Sequence, residues 1–240
     1  MTLVRAALTA IVDFALPHRC ASCGDLIDRL GLCAPCWSSL IFLGRGGCSG
    51  CGAPIAGLDL QCGTCLADPP AHDGAIAALV YGNAARTIVA RLKYGGRPGL
   101  AGLMTNQLEA LARGYESPLL VPVPLHRLRL WKRGFNQSAL LAKALSRRID
   151  APVSLDSLVR VKPTPPLHGL NPSERKRAVK GAFEVRDKAV FAGRNILLVD
   201  DVYTTGATVD ACAKSLKRAG AKQIHVLCWA RALKADEQHP

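Results

Sequence analysis

Downstream of residue 70, short apolar runs alternate with segments in which apolar residues return every three or four positions. An unbroken apolar run is typical of a buried strand, and the longer spacing is typical of an amphipathic helix. Alternation of the two predicts an α/β domain, with a parallel sheet flanked by helices. The predicted strands are 75–81, 119–124, 155–161 (an edge strand), 196–199 and 223–230. The predicted helices are 84–92, 100–112, one that opens at about Asn136, and one with Val209, Cys212, Leu216 and Ala219 on a single face.

The first 16 residues place apolar side chains on one face of a helix. A signal peptide is the competing interpretation, with Arg5 as its positive end. Asp13 interrupts the apolar run, however, and no small-residue cleavage site precedes Pro17. We therefore expect a helix that packs on its own protein rather than on a membrane surface. We also expect a cytoplasmic protein with no membrane span, since no stretch reaches about 20 apolar residues.

Eight of the ten cysteines fall in four C-x-x-C pairs, each in a turn that contains glycine or proline. Two thiolates three positions apart point at one centre, and two such turns complete a tetrahedral zinc site. Nine residues separate the first pair from the second, and ten separate the third from the fourth, which indicates a duplicated module. We therefore interpret residues 1–70 as a helix followed by a double zinc ribbon. The expected ligands of two structural Zn²⁺ ions are Cys20, Cys23, Cys33, Cys36, Cys48, Cys51, Cys62 and Cys65.

Other uses of these cysteines are weaker interpretations. Disulfides are disfavoured because the chain shows no export signal and the cytosol keeps thiols reduced. Redox chemistry would need only one C-x-x-C pair. Consecutive pairing of the turns is simpler than cross-braced pairing, and the sequence excludes neither. Cys212 and Cys228 stand alone in apolar contexts, where small core residues are expected. The segment between the cysteine pairs has only scattered arginines and few aromatic residues. This composition favours a structural or partner-docking role for the ribbons over nucleic-acid binding.

The stretch 196–208 joins a short buried strand, two adjacent carboxylates and a threonine-rich turn into a helix. Ligands of open α/β sheets bind beyond the carboxyl ends of the strands, and a helix N-terminus offers free N–H groups to a phosphate. Asp200 and Asp201 would repel a phosphate, so their natural partners are sugar hydroxyls or a magnesium-bridged group. A ligand with a ribose at one end and a phosphate at the other satisfies both halves.

This combination resembles the 5-phosphoribosyl-1-pyrophosphate (PRPP) site of type I phosphoribosyltransferases. The resemblance implies that Asp200 and Asp201 hold the ribose hydroxyls and that Mg²⁺ binds together with PRPP. It also implies that the 5-phosphate is cradled by Thr204, Thr205, Gly206, Ala207 and Thr208. A response-regulator receiver domain, whose first strand also ends in paired aspartates, would need more chain than 202–240 provides.

The chain has 31 Lys and Arg against 18 Asp and Glu, a formal net charge of +13, which indicates anionic partners. Its richest basic segment follows the strand 119–124, and L-K-Y-G-G ends the helix 84–92. Basic side chains and a helix N-terminus at a strand end are suited to pyrophosphate. The candidate pyrophosphate ligands are Lys93, Arg127, Arg129 and Arg133. A solvated charge run, or a charge that complements the helix dipole, is the alternative.

Residues 162–172 are too rich in proline for a helix or a central strand, and Ser173 is the expected cap of a short helix after them. A long segment near an active site suits a lid that excludes water from a reactive sugar cation. His168 lies in this segment, where an exposed loop histidine is a simpler interpretation than an acid or a base. We expect the tail from Ala235 to be disordered.

Taken in order, the motifs resemble one family, the ComF (competence protein F) proteins, in which a double zinc ribbon precedes a phosphoribosyltransferase domain. The resemblance covers nearly the whole chain, through C-A-S-C, L-K-Y-G-G, V-P-V-P-L-H-R, R-G-F-N-Q, T-P-P, G-A-F and V-D-D-V-Y-T-T-G-A-T. Pro166 departs from the pattern, because it stands about where the family lid, T-x-x-Q, has its glutamine. The resemblance implies a link to natural transformation and DNA uptake, without an established reaction.

Two functions of different classes fit these observations. The first is an enzyme domain in residues 71–240 that binds PRPP with Mg²⁺ and transfers the 5-phosphoribosyl group to an unknown acceptor. The same pocket would also serve a protein that binds PRPP without turning it over. The second is a non-catalytic, PRPP-regulated factor that binds single-stranded DNA or DNA-uptake proteins, although aromatics at 5% leave few platforms for base stacking. A homo-oligomer is compatible with either function.

Overall fold

The structure is a computed structural model, and it describes residues 18–55, 61–164 and 169–233. The helix expected in 1–16, the loop positions Pro166 and His168, and the tail from Ala235 lie outside the described residues. The strands are β1 (Gly74–Val80), β2 (Leu119–Pro122), β3 (Leu158–Arg160), β4 (Phe183–Val185), β5 (Asn195–Tyr203) and β6 (Gln223–Arg231). The helices are α1 (Ala34–Ser38), α2 (Gly63–Ala67), α3 (Asn83–Tyr94), α4 (Leu100–Ala112), α5 (Arg127–Arg133), α6 (Gln137–Ile149), α7 (Pro172–Val179) and α8 (Ala207–Arg218).

Four parallel strands form the central sheet, in the order β1-β6-β5-β2. The two central strands are buried on both faces, which explains why they read as nearly continuous apolar runs. Successive side chains of a strand point to opposite faces. Leu197 and Val199 accordingly pack with α3, α4 and α6 on one face, whereas Ile196 and Leu198 pack with α8 on the other. The predicted α/β architecture with a flanked parallel sheet is confirmed.

A strand is present within the predicted edge strand 155–161, but it lies outside the central sheet. Val153 makes a single parallel bridge to Leu120 at the edge of the central sheet, and the chain then leaves that sheet. The strand β3 pairs antiparallel with β4 in a separate two-stranded sheet. The apolar run indicated a strand correctly because Leu158 is buried, although it is buried in the two-stranded sheet. Arg160, the last residue of β3, lines a cleft at the edge of the central sheet.

The cap of α7 is Asn171 and not Ser173. The Asn171 side chain accepts from the Glu174 N–H while the Glu174 carboxylate accepts from the Asn171 N–H, which is a capping box. Ser173 lies inside the first turn and donates its hydroxyl to the Asn171 side chain at 2.8 Å. The prediction for α6 is confirmed, because Asn136 is its N-cap and accepts from the Ser138 N–H.

The cysteine-rich segment packs on the α/β domain at several places, and arginines of that domain reach both ribbons. Near the first pair of turns, Arg91 of α3 donates to the carbonyl oxygens of Cys20 (3.0 Å) and Ala21 (3.2 Å). Near the second, Arg231 at the end of β6 donates to the carbonyl oxygen of Cys51 at 2.9 Å. In the parts of the chain that the structure describes, no helix has the length and apolar character needed to cross a membrane.

Candidate ligand cleft and metal centres

A cleft of about 440 Å³ opens at the carboxyl ends of β1, β2 and β5. Because the strands are parallel, these ends meet at one edge of the sheet, where ligands of such folds bind. The strand β5 continues past Val199 to Tyr203, so the paired acids lie within the strand rather than after it. Asp200 is paired with Cys228 of β6, which fixes the backbone that carries both carboxylates.

Asp200 is almost completely buried and is held by two donors. The Ser138 hydroxyl (2.7 Å) and the Asp201 N–H (2.9 Å) both donate to its Oδ1 atom. Burial, and then the neighbouring Asp201 carboxylate, raise the pKa of Asp200 to about 7. Two like charges this close destabilise each other, so one of the two acids holds its proton more tightly than an isolated aspartate does.

Asp201 carries a compensating cation in this structure. The Lys93 ammonium lies 2.5 Å from its Oδ2 atom, and the Gln137 amide donates to its Oδ1 atom at 3.3 Å. The charge of Asp201 raises the pKa of Lys93 against the lowering effect of burial. The structure therefore brings Lys93, which was predicted to meet pyrophosphate, to the acids themselves.

The residues 204–208, called the threonine turn below, connect β5 to the N-terminus of α8. Gly206 is the N-cap with φ of +77°, a left-handed conformation that favours glycine, and a Cβ there would collide with the Tyr203 hydroxyl. The first N–H groups of α8 have no partner within the helix, which suits an anion at this end. Thr204 and Thr208 line the cleft. Thr205 and Gly206 line a smaller cavity on the side of the turn that faces the second pair of cysteine turns, and Ala207 is buried.

Of the basic residues predicted for pyrophosphate, Arg129 and Arg133 line the cleft, and Arg127 does not. The helix α5 explains the difference, since Arg129 and Arg133 are four residues apart on one face while Arg127 points to solvent. Arg129 donates to the Thr164 carbonyl oxygen at 2.7 Å. Arg133 donates to the Gln137 side chain at 2.5 Å, and its guanidinium lies 5.1 Å from the centre of the Tyr94 ring.

Two further arginines line the cleft that sequence reasoning did not assign to it, Arg160 and Arg175. Arg160 is buried, its guanidinium lies 5.3 Å from the centre of the Phe183 ring, and burial lowers its pKa. Arg175 of α7 comes within 3.5 Å of the Thr204 hydroxyl. Arg160 lies near the end of a predicted strand, and this position of a basic residue could have assigned it to the cleft from the sequence. The cations facing the cleft are thus Lys93, Arg129, Arg133, Arg160 and Arg175.

The eight paired cysteines form two clusters, one from the first two C-x-x-C pairs and one from the last two. In each cluster the four sulfur atoms lie within 4.8 Å of one another. Sulfurs bound to one tetrahedral Zn²⁺ at about 2.3 Å would lie about 3.8 Å apart. The observed distances of 3.5 Å between Cys23 and Cys33, and of 3.7 Å between Cys51 and Cys62, fit this geometry. Consecutive pairing is the arrangement present.

Backbone donors also fit both clusters to thiolate ligands. The N–H groups of Ser22 and Cys33 point at the Cys20 sulfur, both at 3.4 Å. At the Cys48 sulfur the corresponding distances are 3.5 Å from Cys51 and 3.2 Å from Cys62. Burial raises the pKa of Cys20 and of Cys48, but these donors outweigh it and bring each to about 6. Hydrogen bonds of this kind stabilise the charged form that zinc requires.

Comparisons with known proteins agree with both parts of this architecture. The family model described as double zinc ribbon domain matches residues 11–66, and the one described as phosphoribosyl transferase domain matches residues 136–239. Over 224 residues the chain is 33% identical to competence protein F of Haemophilus influenzae. The aligned region covers 89% of this chain and 97% of that protein. The chain belongs to the competence protein F (ComF) family. The resemblance drawn from the motifs is therefore confirmed.

A second relative of this ComF chain is the DNA utilization protein YhgH of Escherichia coli K12. It is 34% identical over 214 residues, covering 86% of this chain and 93% of that protein. Among solved structures, the glutamine PRPP amidotransferase from B. subtilis, complexed with ADP and GMP, is similar with 18% identity and a TM-score of 0.40. That similarity covers 58% of this chain and 30% of the amidotransferase chain. The two family models, together with the cysteine clusters and the parallel sheet, show the double zinc ribbon and the phosphoribosyltransferase fold of the domain that follows it.

Proposed function

We propose that this ComF-family chain binds PRPP together with Mg²⁺ and transfers its 5-phosphoribosyl group to an acceptor, as a cytoplasmic protein linked through its family to DNA uptake. One observation carries the proposal. Two buried carboxylates, the N-terminal end of α8 and five cationic side chains face a single cleft. These three groups suit, in turn, the ribose hydroxyls, the 5-phosphate and the pyrophosphate of PRPP.

In the proposed reaction the bond between C1 of the ribose and the pyrophosphate oxygen breaks. Its electron pair leaves with pyrophosphate, and the acceptor forms the new bond at C1 and loses one proton. The cations of the cleft stabilise the charge that develops on the leaving group. Mg²⁺, when bound, would neutralise part of that charge, and Asp200 and Asp201 offer the carboxylate oxygens that it prefers. Holding the ribose and the phosphate rigidly aligns C1 with the acceptor.

Lys93 has two roles in this proposal. It neutralises Asp201 in this structure, at 2.5 Å, and its ammonium is flexible enough to turn towards pyrophosphate. When it turns, the Oδ2 atom of Asp201 becomes free to accept a ribose hydroxyl or to face Mg²⁺. Lys93 would therefore exchange one anionic partner for another as the ligand enters.

The carboxylates provide the direct test. We expect the double variant Asp200→Asn/Asp201→Asn to bind Mg²⁺–PRPP at least ~10-fold more weakly, about 1.4 kcal/mol, because charge-assisted hydrogen bonds to the ribose are lost. Isothermal titration calorimetry measures the affinity, and Asp156→Asn, at an exposed position outside the cleft, is the matched control. Equal affinity of the wild type and the double variant would contradict the site. Pyrophosphate release assayed across nucleobases and amines then separates an enzyme from a PRPP-binding protein.

One observation favours single-stranded DNA as a second ligand. Trp131 of α5 is 87% exposed, although large aromatic side chains seldom leave their rings in water without a partner. Arg127 and Lys132, both exposed, lie near it on the same helix, and Arg129 and Arg133 of that helix line the cleft. An exposed ring among cations is the arrangement on which bases stack while the backbone phosphates are neutralised.

Fluorescence anisotropy with a labelled oligonucleotide tests this second candidate. Trp131→Ala should weaken binding about 10-fold, since stacking is worth about 1–3 kcal/mol per base. Trp37→Ala, which removes a half-exposed indole from the first ribbon, should leave the affinity unchanged. Affinity should also fall steeply with salt, and Mg²⁺–PRPP should compete if the two ligands share the surface of α5. Absence of binding even at low salt would remove a direct role with DNA.

A further inference from the structure

The second ribbon, which is the cluster Cys48, Cys51, Cys62 and Cys65, lies directly behind the threonine turn. A cavity of about 110 Å³ between them is lined by Cys51 and Cys65 on one side and by Thr204, Thr205 and Gly206 on the other. The ribbon and the start of α8 belong to one apolar cluster. The metal site and the candidate phosphate site are therefore neighbours, although they are far apart in sequence.

Arg231 makes the link on the ribbon side. It ends β6 and is only 3% exposed, between the last residues of β1 and β5. Its guanidinium donates to the carbonyl oxygen (2.9 Å) and to the sulfur (3.3 Å) of Cys51. A buried guanidinium is costly without negative charge beside it, and a four-thiolate zinc site carries a net negative charge. Donors to a ligating sulfur also orient the ligand and tune the metal.

Tyr203 makes the link on the turn side. Its ring lies 5.0 Å from the Arg231 guanidinium, in cation–π contact, and is almost fully buried. Its hydroxyl lies under Gly206, where no Cβ fits, and is 3.4 Å from the His72 Nε2 atom. Burial lowers the pKa of His72 to about 4, so this ring is neutral near pH 7. The contacts run without a gap from Cys51 through Arg231 and Tyr203 to Gly206.

We propose that Arg231 and Tyr203 are positioning residues through which Zn²⁺ in the second ribbon sets the shape of the threonine turn, and hence its affinity for a phosphate ligand. The identity of that ligand as PRPP rests on the function proposed above. With zinc bound, Cys51 holds Arg231 in place, Arg231 holds the Tyr203 ring, and the ring supports Gly206 from below. Coupling between two binding sites is reciprocal, so a ligand on the turn must also tighten zinc at the second ribbon.

Hydrogen exchange tests the link without any ligand. Cys62→Ser and Cys33→Ser remove corresponding, half-exposed thiolates from the second and first ribbons of the full chain. Metal analysis establishes that each variant retains the other zinc. We expect exchange of the peptide that spans 204–208 to accelerate about 10-fold or more in Cys62→Ser and to stay within about twofold in Cys33→Ser, because local opening follows local contacts. Equal exchange in the two variants would overturn the proposal.

Linkage provides the second test, in the wild-type protein. Competition with a chromophoric chelator measures both zinc affinities, with and without saturating Mg²⁺–PRPP. We expect one zinc to bind about 10-fold more tightly with PRPP and the other to be unchanged, within the usual range of coupling between sites. A purely structural link would leave both unchanged and would overturn the proposal. If calorimetry shows that PRPP does not bind, the proposed function fails, and the exchange experiment still decides the link.

Arg231 variants test the pathway itself. Arg231→Gln should weaken PRPP binding about 10-fold, since a loosened turn must be ordered when the ligand binds. Arg231→Lys, which keeps the charge but replaces the two donor nitrogens of the guanidinium with a single ammonium, should recover part of the affinity. Arg91→Gln is the matched control, because Arg91 donates to backbone carbonyl oxygens of the first ribbon and does not line the cleft. Equal affinities for Arg91→Gln and a folded Arg231→Gln would exclude the pathway.

Discussion

The two zinc ribbons differ by only one residue in the spacing of their ligands, but they have different relations to the rest of the molecule. In the first, one cysteine is buried, two are half-buried and Cys23 is exposed, and Leu26, Leu30 and Ile41 around it are also exposed. In the second, Cys48, Cys51 and Cys65 are buried within the apolar cluster of the sheet and α8. A repeated motif therefore yields one site at the surface and one site inside the core.

Close backbone approach explains the difference. Gly52, directly after Cys51, has φ of +68°, and a Cβ there would collide with the Ala75 carbonyl oxygen of β1. Gly24, directly after Cys23, also has positive φ, but a Cβ there would meet only the end of the Arg91 side chain. The turn of the second ribbon at Gly52 is pressed against a strand, whereas the corresponding turn of the first ribbon, at Gly24, meets a long side chain. The chain around the first ribbon hydrogen-bonds to β1 through residues 41–43, which follow its last cysteine. We infer that loss of the first metal disturbs the sheet less than loss of the second.

The largest expected effect comes from removing each metal in turn. Cys48→Ser/Cys65→Ser should lower the free energy of unfolding of the α/β domain by more than about 4 kcal/mol, the range reached when a metal and core packing are lost together. Cys20→Ser/Cys36→Ser should lower it by no more than about 2 kcal/mol. Urea denaturation followed by circular dichroism measures both, with about one zinc expected per variant. Equal losses would show that the two ribbons support the domain alike.

The two glycines sharpen the comparison at single positions. Gly52→Ala should cost about 3 kcal/mol or more, because a left-handed conformation and a backbone clash add together. Gly24→Ala should cost about 1–2 kcal/mol, since the conformational cost remains but the arginine can move aside. Thermal unfolding of the two variants side by side makes the measurement. A larger cost at Gly24 than at Gly52 would contradict the difference in docking.

The smallest expected effect separates the chemistry of the cleft from the ribbons. Burial raises the pKa of Asp200 to about 7. In the proposed site the ribose hydroxyls would donate to its ionised form, so affinity for Mg²⁺–PRPP should rise several-fold as pH rises through 7. Between about pH 4 and 7 Asp200 is protonated in the folded state and ionised in the unfolded state. Its contribution to the free energy of unfolding is therefore lost as pH rises through this range. Calorimetry from pH 6 to 8 should show the rise in wild type and in Arg91→Gln. Ionisation of the phosphates of PRPP also raises its affinity with pH, and Asp200→Asn should keep only that contribution.

Local chemistry was readable from the sequence. A tetrahedral zinc site needs two tight turns with two thiolates each, and C-x-x-C specifies such a turn within four residues. The threonine turn is similar, because Asp200, Asp201 and Gly206 are joined by a few bonds to the strand and the helix that position them. These features were predicted correctly because the residues that define them are neighbours in the chain. Their ligand roles in the cleft remain predictions.

The tertiary structure alone decided which distant residues meet. Arg127 lies on the face of α5 that is turned away from the cleft. Arg160 lines the cleft because the chain leaves the central sheet after Val153. Likewise, the pairing of β6 between β1 and β5 placed Arg231 against a cysteine 180 positions earlier. Contacts of this kind depend on strand order and on which apolar face is covered. Those are properties of the whole packed chain, whereas the metal turns and the threonine turn are properties of short segments.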